Sequence, residues 1–171
     1  MYVEVPIAML QMNPFTAIGT DGFLITAGTS EKFNTMTASW GSMGVLWGRN
    51  VIVLYVRKSR YTHQFLQENE GFTVSFFPPD MKESLVWCGE HSGRDYDKVA
   101  QAKLDITCLS TPNGAERVTF KQASLVFSCT KAASFAMDEG SFVLPQIQDF
   151  YKDGDLHTVY IGFVDSILSN Q

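Results

Sequence analysis

Apolar positions along this chain fall into short runs with two different periods. Phe23 to Ala27 is apolar with β-branched members, and Val51 to Val56 is apolar at both parities, so the latter reads as a strand buried on both faces. Phe72 to Phe77 alternates, with Phe72, Val74 and Phe76 on one face. Ala123 to Cys129 places Ala123, Leu125, Phe127 and Cys129 together, and His157 to Val164 places Val159, Ile161 and Phe163 on the face of His157. Three helices are predicted between these strands. Ser59 is the expected cap of one over Arg60 to Asn69, with Tyr61, Phe65 and Leu66 inward and Gly71 ending it. Asp80 with Glu83, after Pro78-Pro79, reads as a capping box for a helix towards Trp87. Asp95 is the expected cap of a third, running to about Lys103 with Tyr96, Val99 and Ala100 inward.

These helices are too few and too short to cover both faces of a parallel sheet. The pattern therefore predicts a mainly β chain, an antiparallel barrel with short peripheral helices. A dinucleotide-binding domain is disfavoured, because Gly41, Gly44 and Gly48 do not have the GxGxxG spacing. No repeat, low-complexity tract or linker interrupts the 171 residues, which are read as one domain with a core large enough to need no disulfide or metal.

Composition narrows the function classes. The formal net charge of −5 argues against a nucleic-acid partner, whose phosphates call for a basic surface. The three cysteines, Cys88, Cys108 and Cys129, form no CxxC pair, so no disulfide scaffold and no metal site is expected, and buried inert thiols in a reducing cytoplasm are. Met1 to Leu10 carries Glu4 and Pro6 and does not read as a signal peptide, and no apolar run is long enough to be a membrane span. Aromatic residues are dense (13 Phe, 6 Tyr and 3 Trp), which suits a β-rich interior or a pocket for a flat molecule without choosing between them.

Cations concentrate locally. Arg57-Lys58-Ser59-Arg60, with Arg94 and Lys98 further on, holds five of the 13 Lys and Arg. The first group ends a buried strand and opens a helix, so cations, the Ser59 and Thr62 hydroxyls and free helix N–H groups converge as they would around a phosphate. Ordinary solvated surface charge is the plain alternative. Asn34 to Trp40, NTMTASW, is uncharged and rich in hydroxyls, the mixture that a flavin ring needs, although a half-solvated strand has the same look. His157, heading an apolar strand, is either a satisfied structural histidine or a functional one. No GxSxG elbow and no paired carboxylates are present.

Four segments together resemble the flavin reductase-like, FMN-binding split-barrel family, in particular its flavoredoxin-type branch. They are FNTMTASWGSMGVLWGRNV (Phe33 to Val51), VRKSRYTHQFLQENEGFTVSFF (Val56 to Phe77), CGEHSGRDYDKV (Cys88 to Val99) and HTVYIGFVDSIL (His157 to Leu168). The resemblance implies an FMN-binding split barrel that forms a homodimer. By resemblance Thr35, Thr37, Ala38, Ser39 and Trp40 line the flavin ring, and Arg57, Ser59, Arg60, Tyr61 and Thr62 hold the ribityl phosphate or the ring edge. Ser92, Gly93, Arg94, Asp97 and Lys98 complete the pocket, and His157 orients a nicotinamide. The implied activity is electron transfer from NADH or NADPH through FMN to a small or protein acceptor. The alternatives are a flavoredoxin-type carrier without its own NAD(P)H oxidation, and a ligand-binding barrel with no redox role. The stretches Ser110 to Gln122 and Ser134 to Leu144 carry no family signature, and no role transfers to Phe163.

Overall fold

The run Val51–Val56 lies inside β5 (Arg49–Arg57), a strand of an eight-stranded antiparallel sheet. The computed structural model describes residues 1–111 and 113–170. Its other strands are β1 (Tyr2–Glu4), β2 (Phe23–Gly28), β3 (Phe33–Ala38), β4 (Gly41–Leu46), β6 (Gly71–Phe76), β7 (Ile106–Ser110), β8 (Glu116–Phe120), β9 (Leu125–Ala136) and β10 (His157–Asn170). The helices are α1 (Pro14–Thr16), α2 (Tyr61–Glu68), α3 (Lys82–Glu90) and α4 (Lys98–Gln101). No helix among the described residues is long and apolar enough to cross a membrane.

The sheet runs β3-β2-β6-β9-β10-β5-β4, with β1 added along β10, while β7 and β8 form a separate ribbon. Its two outer strands, β3 and β4, are consecutive in the chain with only Ser39 and Trp40 between them. Three Cα steps reach at most about 11 Å. The sheet must therefore curl until its edges stand side by side, and since β3 and β4 do not pair, the result is a split barrel. Its interior is filled by Ile25, Leu54, Val56, Phe72, Val74, Phe127 and Tyr160. Gly162 lies where β10 bends, at a register shift against β9. A Cβ there would stand 2.4 Å from the Phe72 ring and 3.0 Å from Cys129 Cβ, so only glycine fits.

Both parities of β6 are buried. Phe72, Val74 and Phe76 enter the barrel as the alternation predicts, while Thr73 and Ser75 meet the β7–β8 ribbon. There the Thr73 hydroxyl donates to Val118 O at 2.6 Å, and the Ser75 and Thr119 hydroxyls bond at 2.8 Å, which offsets the cost of removing them from water. Of the five predicted strands, β2, β5 and β6 extend little beyond their apolar runs. β9 and β10 run much further, and Ala123 lies in the turn before β9 rather than in the strand.

The helix caps differ from expectation. α2 begins at Tyr61 with Arg60 in the cap position and no side-chain cap, because the Ser59 hydroxyl and N–H both go to Asp155. Asn69 caps the other end in extended backbone, and Gly71 opens β6 instead of ending the helix. The Asp80–Glu83 capping box does not form: Pro79–Met81 is a tight 3₁₀ turn and α3 starts only at Lys82. Asp97, not Asp95, caps α4 by accepting from Ala100 N at 3.1 Å, and Tyr96 and Ala100 face solvent. Cys88 and Cys129 are buried with their thiol pKa values raised by burial, but Cys108, on the β7–β8 ribbon, is exposed.

Candidate functional site

As an outer strand, β3 leaves backbone groups unpaired on one side, and α3 with the loop after it covers them. The Thr37 hydroxyl donates to Leu85 O, and the Lys98 ammonium donates to Thr35 O at 2.9 Å and to Cys88 O at 2.7 Å. Lys98 is thus a buried clamp between strand and helix. Burial pulls its pKa down to about 8, the neighbouring Arg60 charge adding to the effect and Cys88 opposing it.

Two clefts open along this covered edge. The first, of about 190 Å³, lies between β3, the start of α2 and the Glu90–Arg94 loop. Arg60, Arg94 and Lys98 line it against a single carboxylate, Glu90, together with Ser59, Tyr61, Thr62 and Ser92. The N–H groups of Tyr61 and Thr62, the first two of α2, have no intrahelical partner by helix geometry, and no side chain caps them. Arg94 is aimed by stacking over the Tyr61 ring at 4.7 Å and donating to Ser59 O at 3.1 Å. Arg60 donates to Gly89 O at 2.8 Å, and burial lowers its pKa against the pull of Asp155. The loop closes on β3 because residue 93 is glycine: a Cβ would stand 1.9 Å from Asn34 Oδ1. Asn34 in turn donates to the Thr62 hydroxyl at 2.7 Å, tying β3 to α2.

The second cleft, of about 280 Å³, shares Met36 and Arg60 with the first. Its strip from Met36 through Thr37, Ala38, Ser39 and Trp40 is uncharged, and Tyr55, Arg57 and His157 face it. The His157 ring lies 5.1 Å from the Trp40 ring, held by a 2.9 Å hydrogen bond between Nδ1 and the Tyr151 hydroxyl. Burial and then the Arg57 charge lower the His157 pKa, with Asp155 opposing, which favours the neutral imidazole. Arg57 has protein partners already: Phe150 O at 2.8 Å, Asp155 O at 3.1 Å and the Asp153 carboxylate at 3.4 Å.

The structure therefore brings most of the sequence-selected residues to one continuous cleft and leaves Thr35, Lys58 and Asp97 aside. The Thr35 side chain points away from the barrel interior, on the face that Thr73 turns to the ribbon, bonded to the Thr26 hydroxyl at 2.9 Å and Ile25 O at 3.2 Å. Asp97 serves as the α4 cap. Ser59 and Arg57 reach the cleft but spend hydrogen bonds on the Phe150–Asp155 segment, and Lys58 lines neither cleft. Sequence reasoning missed Met36, which joins the two clefts, and Asn34, although both stand inside NTMTASW. It also missed Glu90 and His91, the two positions just before the chosen Ser92. Tyr151 gave no signal, because its role comes from packing against His157.

A family model, the flavin reductase like domain, matches residues 16–168. The chain belongs to the flavin reductase-like family. No curated protein matches this flavin reductase-like chain. Solved structures with the same fold include an FMN-binding protein from Thermus thermophilus, at 20% identity and TM-score 0.64 over 87% of this chain and 70% of that one. A flavoredoxin from Methanosarcina acetivorans matches at 20% identity and TM-score 0.65 over 88% and 69% of the two chains. An NADH:FAD oxidoreductase from Streptomyces globisporus matches at 18% identity and TM-score 0.61 over 87% and 75%.

Proposed function

We propose that this flavin reductase-like chain binds FMN across the two joined clefts and works as an NAD(P)H-dependent oxidoreductase that delivers electrons to a small or protein acceptor. The observation that carries the reading is the division of charge along one continuous cleft. Three cations and an uncapped helix N-terminus lie at one end, and an uncharged strip ending at Trp40 and His157 lies at the other. The donor set at the first end suits a phosphate. Arg60, Arg94, Lys98 and the first N–H groups of α2 would hold the FMN phosphate, and the Met36–Trp40 strip would take the ring. When bound there, FMN supplies two-electron chemistry between a nicotinamide and the acceptor. The protein's part is to fix position and exclude water: Gly93 lets the loop close, Asn34 and Lys98 hold the strand to both helices, and His157, favouring its neutral form, limits the charge beside Trp40.

Two measurements test this. Arg60→Ala is expected to weaken FMN by about 10- to 100-fold, a charge-assisted hydrogen bond being worth about 1.5–3 kcal/mol. Riboflavin, which lacks the phosphate, should bind as before. Equal loss for both ligands would make Arg60 structural, consistent with its bond to Gly89 O. The second measurement is anaerobic mixing of the FMN-loaded protein with NADH or NADPH, which is expected to bleach the flavin promptly. A bound flavin that does not bleach would point to a flavoredoxin-type carrier. A chain that binds no flavin would leave a ligand-binding barrel.

A further inference from the structure

A hollow of about 470 Å³ adjoins the His157 cleft, the two sharing Ser39, Trp40 and Tyr55 as walls. It is roofed by a short irregular helix rather than by the sheet. Asn13 Oδ1 accepts from Phe15 N at 3.0 Å to start α1, and the chain then widens into a π-helical turn over Ala17–Asp21. Lys82 Nζ holds that turn by donating to Thr20 O at 2.9 Å and Asp21 O at 3.0 Å. Widened turns of this kind gather at functional sites. At Gly19, which lines the hollow, a Cβ would meet nothing within 4 Å, so a larger side chain has room there.

The walls state what such a site would accept. They are Phe15, Ile18, Trp40, Met43, Tyr55 and Met137, with Ser39 and Ser42 contributing hydroxyls, and no described lining residue carries a charge. Aromatic rings and thioethers suit a flat apolar molecule, and the volume lies within the roughly 300–1,000 Å³ usual for small-ligand pockets. A nicotinamide dinucleotide would find no partner here for its pyrophosphate, whereas Arg57, Arg60, Arg94 and Lys98 all face the other two clefts. Phe15 stays 87% exposed at the mouth, an aromatic surface available to a ligand.

We propose that this hollow receives a neutral, planar, largely apolar electron acceptor of the quinone class. The acceptor role rests on the flavin reading above. The exchange balances as quinone plus NAD(P)H plus a proton giving hydroquinone plus NAD(P)⁺. The quinone gains two electrons and two protons, and the nicotinamide loses a hydride.

The test is calorimetric titration of the FMN-loaded protein with 2,3-dimethyl-1,4-naphthoquinone, whose blocked ring carbons prevent addition to the exposed Cys108. Saturable binding is expected. Naphthalene-2-sulfonate should bind at least about tenfold more weakly, since its charge would lose water with no cation in the walls to replace it. Gly19→Phe fills the hollow, and Ser42→Phe fills it from the exposed edge of β4 should the first variant fold poorly. Each should weaken the quinone at least tenfold and leave FMN content and FMN affinity unchanged. Absent quinone binding, equal binding of the sulfonate, or filled variants that bind as well as the parent would overturn the proposal. So would filled variants that change only the oligomeric mass, which would make the hollow a subunit contact. Quinone binding to a chain that holds no FMN would strike the redox reading alone and remove the acceptor role with it. FMN binding without quinone binding would strike this proposal alone.

Discussion

Gly93→Ala is the smallest change expected to open the first cleft. The backbone at 93 lies outside the left-handed region, so alanine meets no conformational penalty there, and the whole effect comes from contact. Its methyl would stand 1.9 Å from Asn34 Oδ1 and 3.0 Å from Asn34 Cγ, so the amide must swing by about 1 Å or the loop must lift. If the amide swings, the 2.7 Å bond from Asn34 Nδ2 to Thr62 Oγ1 breaks in a place closed to water. Leaving a buried amide without its partner costs about 1–3 kcal/mol. A cost near 2 kcal/mol corresponds to a fall in Tm of about 4–8 °C for a chain of this size. If the loop lifts, Arg94 leaves its place over Tyr61 and FMN weakens more than riboflavin. The assay is urea unfolding of the parent, Gly93→Ala, Asn34→Ala and the double variant. Once Asn34 is alanine nothing remains for the new methyl to strike, so the two costs should fall short of adding by about 1–2 kcal/mol. Additive costs, or a Gly93→Ala protein as stable as the parent, would refute the argument.

His157→Ala should keep FMN bound but slow its reduction by NAD(P)H on the order of 100-fold, the scale of a misplaced donor, as read by anaerobic stopped flow; unchanged kinetics would make the residue structural. Lys98 should leave a mark at alkaline pH, because its pKa of about 8 in the fold lies below its ordinary 10.5. Between those values the unfolded chain keeps a proton that the folded chain has released, so raising the pH across that window favours the fold. The stability of the parent relative to Lys98→Met should rise over that range, and a flat difference would contradict the buried-ammonium account. In light scattering a dimeric mass is expected from the family resemblance, with an interface above about 1,200 Å² in total; a monomer that still binds FMN tightly would overturn that expectation.

Elements whose identity rests on neighbouring residues could be read from the chain alone. The apolar runs of β2, β5 and β6 are strands because their side chains alternate or bury locally. NTMTASW and the loop after Cys88 were legible as site material because their residue types are unusual for plain surface. β4 was not legible, since GSMGVL has neither an apolar run nor a clean alternation. It becomes a strand only because β5 offers a complete edge to pair with. Two of the three expected helix caps differ for a related reason. Ser59 and Asp95 are good capping residues, but a cap requires a particular approach of the chain, and Asp155 and the close passage of Gly93 over Asn34 set those approaches. The roles of the cations were decided at still longer range. Arg57 is drawn to Asp153 and Lys98 to Thr35 O, partners 96 and 63 residues away in the chain. Sequence fixes which charges exist, but whether a charge is spent on the fold or left for a ligand depends on which backbone carbonyls and carboxylates the barrel, once closed at Ser39 and Trp40, brings within hydrogen-bonding distance.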